Sequence, residues 1–305
     1  AAVFAALMSG LEAGDHVVAN KVMFSSCYYI ITQILPKFDI SYTLVDSADK
    51  AAWEAAFTDK TTHVFVESPA NPTMELTDIG HVAGLCKKHG ARLLVDNVFA
   101  TPLYQSPLTL GADMVIYSTT KHMDGQGRTL GGAIVGNKQL LEDVVLPFAR
   151  HTGPHMSPFT CWVVFKGLET LSLRLERHSA NANAIASMLA ESSKINRVIY
   201  PGHESHAQYA LAQKQMKGGG PMLAFEVADK DAAFRLMNAL EIPRISNNLG
   251  DAKTLITHPA STTHASIAPE ERATLGLGDG LIRFSPGLED TSDLLADFSQ
   301  ALEKI

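Results

Sequence analysis

HVFVESPANPTMELTDIGHVAGLCKKHGARLLVDN, residues 63–97, decides the fold. It opens on a short apolar run, HVFV at 63–66, and closes on another, RLLV at 92–95. Between them DIGHVAGLCKKHG at 78–90 carries apolar residues at helical spacing and stops at a glycine. Strand, helix, strand is the repeating unit of a parallel sheet, because two parallel strands need a crossover that returns the chain to the same edge. Working outward, the rhythm recurs: HVVA at 16–19 and YTLV at 42–45 lie before it, and DMVIY at 113–117 after it. Runs this uniformly apolar predict a sheet covered on both faces.

After GGAIVG at 131–136 the pattern lengthens into helices, from about Pro158 through Leu189. From about Arg197 a second α+β unit follows, with strands near MLAFEV at 222–227 and LIRF at 281–284 and a last helix near Asp290–Lys304. The expected division is a large α/β domain over 1–160, a connecting helical layer over 161–195 and a smaller α+β C-terminal domain over 196–305.

The 305 residues suffice for such an arrangement without disulfide or metal staples. Lys and Arg number 25 against 32 Asp and Glu, a formal charge of -7, so there is no basic field to gather nucleic acid or anionic lipid. Three widely spaced cysteines, Cys27, Cys86 and Cys161, form no CxxC pair, and a reducing cytoplasm is expected. Apolar runs stay shorter than the ~18 residues of a membrane span. The opening AAVFAALMSGLEAGDHVV begins inside a helical pattern without a start methionine, so the chain reads as a fragment.

Ligands of open α/β sheets settle at the carboxyl ends of the strands. There RLLVDN carries Asp96, and DMVIYSTTK carries Ser118, Thr120 and Lys121. A lysine nucleophile must shed a proton that its ordinary pKa of ~10.4 retains at neutral pH, and condensation with an aldehyde in a dry pocket overcomes this. Pyridoxal phosphate is such an aldehyde. Its ring nitrogen draws electrons only when protonated, which a carboxylate such as Asp96 maintains. Ser118 and Thr120 supply hydroxyls for a phosphate, and Phe24, in the loop after HVVA, supplies a flat face for the ring. Singly, each has an ordinary explanation as a cap, a solvated lysine or a core ring. Their combination in one stretch of chain is what points to chemistry.

From Ala1 to Ile305 the sequence resembles the Cys/Met-metabolism family of pyridoxal-phosphate enzymes, the relatives of cystathionine γ-synthase. The resemblance is carried by VFVESPANPT at 64–73, LLVDNVFATP at 93–102, YSTTKHMDGQGRTLGG at 117–132, KGLETLSLRLERHSANA at 166–182, LITHPASTTH at 255–264 and LIRFSPGLED at 281–290. It implies a fold-type I transferase, aspartate-aminotransferase-like, with a mostly parallel central sheet. It also implies a cytoplasmic homo-oligomer, a dimer of dimers, acting on small amino acids in trans-sulfuration and methionine biosynthesis.

For the site, the resemblance implies Lys121 as the Schiff-base lysine, Asp96 as the partner of the ring nitrogen, and Ser118 and Thr120 as phosphate ligands. Asn71 is implied to contact the cofactor or substrate, Arg283 to fork onto the substrate carboxylate, and Asn248 to lie near that carboxylate where many relatives carry serine. KHMDGQGRTLGG, SNNLGDAKTL at 246–255 and Phe24 look most like the branch that replaces the γ-ester of O-succinylhomoserine with sulfide to give homocysteine. O-acetylhomoserine as the ester, cystathionine γ-synthase activity, and methionine or cystathionine γ-lyase activity are the alternatives. Family members usually carry an N-terminal Tyr-x-Arg pair and a Gly-Met turn that bind phosphate. Neither stands before the position of Ala1, which puts cofactor retention in question and leaves a truncated, inert homologue as the reading from another class.

Other motifs fare worse. Ser118-Thr119-Thr120-Lys121 matches the Ser-x-x-Lys of penicillin-binding hydrolases, but a strand precedes it and no SDN or KTG string occurs. GQGRTLGG has Leu130 where a nicotinamide-binding loop needs its third glycine. The pairs His151 with His155, His203 with His206 and His258 with His264 lack a metal-ligand pattern such as HExxH, so no metal is expected.

Overall fold

The computed structural model describes residues 1–265 and 267–305. They form two compact units, one of residues 1–71, 75–119 and 129–162, the other of residues 72–74, 120–128 and 163–305.

The first unit is built on β1 (His16–Asn20), β2 (Ser41–Val45), β3 (Thr61–Glu67), β4 (Arg92–Asp96), β5 (Met114–Ser118) and β6 (Gly132–Gly136). They lie in the order β2-β1-β3-β4-β5-β6. The first five are parallel, and β6 closes the edge antiparallel to β5. Residues 63–97 make the expected strand–helix–strand unit, with Phe65 opposite Leu94 and Glu67 opposite Asp96.

Val64, Phe65, Val66, Leu93, Leu94 and Val95 have no exposed surface. Each such side chain contributes about 1.5–3 kcal/mol relative to an exposed one. The helix Ile79–His89 starts where the Asp78 carboxylate accepts the His81 amide at 3.1 Å. It ends at Gly90, whose φ of 71° is left-handed, with Lys87, Lys88 and His89 against the negative end of its dipole. Parallel pairing brings the carboxyl ends of β1, β3, β4 and β5 to one edge, and Asn20, Glu67, Asp96 and Ser118 are their last residues.

The second unit carries β7 (Arg197–Ile199), β8 (Leu223–Glu226), β9 (Arg244–Ile245), β10 (Leu255–Thr257) and β11 (Leu281–Ser285), in the order β7-β8-β11-β10-β9. Only β9 and β10 pair parallel. At two or three residues, β7, β9 and β10 are too short to show a period in sequence. The helices Leu171–Ala190 and Thr291–Leu302 pack with the sheet around Leu189, Phe225, Phe284 and Phe298, the last two rings edge to face at 5.0 Å. Among the described residues no helix is long and apolar enough to cross a membrane.

Candidate active site

In the first unit, Asp96 ends β4 and is buried, and the Val98 amide donates to its carboxylate at 3.1 Å. The loop beyond is locked by the side chain of Asn97. Its amide nitrogen donates to the carbonyls of Thr101 and Gln105 and to the Tyr117 hydroxyl, and its oxygen accepts from Gln105 at 2.7 Å. Burial pushes the Asp96 carboxyl up to about 6, with the Val98 amide opposing that shift. A carboxylate taken from water without a cationic partner prefers to be neutral, and a cation brought beside it would reverse that preference.

Asp96 opens onto a cavity of about 860 Å³ whose walls include Phe24, Tyr117, Ser118, Met156 and Ser157. That volume lies in the range of small-molecule sites. Phe24 keeps 40% of its surface exposed, which for a phenyl ring in a pocket wall is a face available for stacking. Asn71 is buried after β3, at the turn that the Asn-Pro step predicts.

Sequence reasoning missed Glu67. It is buried at the end of β3, and its two carboxylate oxygens accept the backbone amides of Phe24 and Asn71, each at 2.7 Å. One of its oxygens, one oxygen of Asp96 and the Cys27 sulfur lie within 4.8 Å of one another. Burial, then the charges of Asp96 and Glu67, hold the Cys27 thiol well above its usual range, so it is an inert filler rather than a nucleophile. The available signal was an acid closing an apolar strand, the same signal that Asp96 gives.

In the second unit, Lys121 follows Thr120 and interrupts the helical turn Thr119–Met123 with ψ −128°. Its Nζ donates to Asn248 Oδ1 at 2.6 Å. Arg283, on β11 and 2% exposed, donates through Nη2 to the carbonyls of Asn247 at 2.9 Å and Asn248 at 3.2 Å. Burial, and after it the Arg283 guanidinium, lowers the Lys121 pKa to about 8.

Behind the lysine stands Arg174, hidden from sequence reasoning inside an amphipathic pattern. Its guanidinium donates to the carbonyls of His122 at 2.6 Å, Gly167 at 2.7 Å and Met123 at 3.4 Å. Gly125, at φ +70°, leaves room for that guanidinium, which a Cβ would strike. Gly250, at φ +73°, lets the chain after Asn248 pass the His122 amide, 2.6 Å from where a Cβ would sit.

The family model for Cys/Met metabolism PLP-dependent enzymes matches residues 1–303. The chain belongs to that family. Among its curated relatives, O-succinylhomoserine sulfhydrylase of Mycobacterium tuberculosis is 48% identical over 99% of this chain and 76% of its own length. The Pseudomonas aeruginosa protein of the same name is 45% identical, covering 99% of this chain and 75% of its own length. L-methionine gamma-lyase of Pseudomonas putida is 42% identical over 99% of this chain and 76% of its own length. Of solved structures, metB from Corynebacterium glutamicum superposes with a TM-score of 0.94 at 36% identity, covering 99% of this chain and 78% of that one. A Cys/Met metabolism enzyme is therefore α/β with a mostly parallel sheet here too, depends on pyridoxal phosphate and acts on small amino acids. The residues present fit that cofactor: in the first unit a buried carboxylate, a hydroxyl and an exposed phenyl around one cavity, and in the second a lysine amine of lowered pKa.

Proposed function

We propose that the chain replaces the γ-ester of an acylated homoserine, O-succinylhomoserine or its acetyl analogue, with sulfide to give homocysteine. The observation that carries this reading is the Lys121 amine, brought to a pKa of about 8 and held by Asn248 beside Arg283. When bound, pyridoxal phosphate supplies an aldehyde for that amine and a protonated ring that withdraws the electron pair left when a substrate Cα loses its proton. Asp96 keeps the ring nitrogen protonated. Ser118 and Thr120 donate to the phosphate, Phe24 stacks on the ring, and Asn71 hydrogen-bonds at the edge of cofactor or substrate.

Arg283 forks onto the substrate α-carboxylate, and Asn248 orients both that carboxylate and the lysine. The Lys121 amine carries protons between the substrate's Cα and Cβ, which lets the γ-substituent leave from Cγ. Phe24 offers no phenolic proton, which suits a leaving group that departs as a carboxylate anion. The relatives named O-succinylhomoserine sulfhydrylase, at 48% and 45% identity, support the replacement reading. The methionine gamma-lyase relative at 42% identity supports elimination as the second reading. A cytoplasmic dimer of dimers belongs to the same proposal, and exposed Phe159, Trp162 and Phe165 along one helix are surface that association would cover.

The test begins with borohydride reduction after pyridoxal phosphate is added, followed by peptide mapping. A stable label at Lys121, and none in Lys121→Ala, is expected. Succinyl- and acetylhomoserine with sulfide, cystathionine and methionine are then compared as substrates. Homocysteine formed only from an ester plus sulfide supports replacement, whereas 2-oxobutanoate released without sulfide overturns it in favour of elimination.

A further inference from the structure

Phe24 and Asn71 leave the sheet on different loops, after β1 and after β3, yet their main-chain N–H groups meet on one side chain. Glu67 Oε2 accepts from Phe24 and Oε1 from Asn71, both at 2.7 Å. The acid is itself anchored, since its own amide donates to Asn20 Oδ1 at 3.0 Å and its carbonyl accepts from Asn20 Nδ2 at 3.3 Å. The last residues of β1 and β3 are thus sewn together, and the carboxylate reaches onward to both loops.

A carboxylate suits this place because two donors need two acceptor oxygens. A carboxamide offers one oxygen and would turn its NH2 against the other amide. The Phe24 carbonyl in turn accepts from Cys27 at 2.8 Å and Tyr28 at 3.0 Å, so the backbone of Phe24 is held from both sides. A backbone held in this way fixes the Cα–Cβ direction from which the ring leaves the chain, which narrows the rotamers open to it.

We infer that Glu67 is a positioning residue for the cofactor, setting the ring of Phe24 and the side chain of Asn71 against it. The inference rests on the cofactor-binding roles proposed above for those two residues. Pyridoxal phosphate is the probe, with its dissociation constant and the visible circular dichroism of the bound form as readouts. Wild-type protein without a reducible label at Lys121 would sink the cofactor reading itself, whatever Glu67 does.

With that label present, Glu67→Gln is expected to keep the label and the fold, raise the dissociation constant about tenfold and change the dichroic band. Glu67→Asp, which restores both oxygens on a shorter arm, should recover part of each. Combined with Phe24→Ala, the Glu67→Gln loss should shrink, because the ring through which it acts is gone. Unchanged affinity and dichroism in Glu67→Gln, or losses that simply add in the double variant, overturn the inference. Should Glu67→Gln not fold, Glu67→Asp serves for the same comparison.

Discussion

Asn248 and Lys121, 127 positions apart in the chain, meet with amide oxygen and amine nitrogen 2.6 Å apart. The Asn248 carbonyl meanwhile accepts from Arg283 at 3.2 Å, so one residue touches the amine with its side chain and the guanidinium with its backbone. A hydrogen bond donated by an ammonium favours the charged form. Asn248→Ala should therefore lower the Lys121 pKa further and reduce turnover about tenfold. The pH profile of single-turnover rates checks this, and an unshifted profile would show that Asn248 does not hold the amine.

Lys121 itself predicts a pH window. Its folded pKa of about 8 lies below the ordinary lysine value of 10.5, so between the two the unfolded chain binds more protons. Stability of the cofactor-free protein should then rise with pH across that interval rather than fall. The rate at which pyridoxal phosphate adds covalently should likewise climb through pH about 8 and level off well below the ordinary lysine range. Stopped-flow absorbance across pH measures it.

Asp96→Asn separates stability from function. The Asp96 pKa of about 6 exceeds the ordinary aspartate value of 3.8, so over that interval the folded chain holds the extra proton and apo-protein stability declines as pH rises. The amide escapes that cost, and the apo variant should be at least as stable as wild type at pH 7. Unable to hold a ring nitrogen in its cationic form, it should lose at least about 10²-fold in turnover. Thermal melts of apo-protein and steady-state rates give the two readings.

Arg174→Met tests the support behind the lysine. Three carbonyls, those of His122, Met123 and Gly167, lose donors in a buried place. A destabilisation of about 2–4 kcal/mol is expected. Denaturant unfolding measures it, and borohydride labelling at Lys121 should weaken in parallel if the turn carrying the lysine loosens.

Much of the architecture could be read before any coordinates. The apolar runs at 16–19, 63–66, 92–95 and 113–117 became β1, β3, β4 and β5, and Asp78 and Gly90 cap their helix as capping chemistry requires. These features rest on forces within a few residues, namely short runs of apolar side chains, capping and left-handed glycine. The antiparallel turn of β6 and the two- and three-residue strands escaped, because pairing partners choose them and not local preference.

The sequence by itself determined the strand–helix rhythm, the strand ends where polar groups gather, and the Asp96 and Lys121 motifs, since each is written in contiguous residues. Only the tertiary structure decided that Glu67 grips two loops, that Asn248 reaches Lys121 and that Arg174 supports the turn beyond it. Those contacts join residues far apart in the chain. A hydrogen bond forms only where folding delivers donor and acceptor within about 3 Å, and no local pattern records that distance.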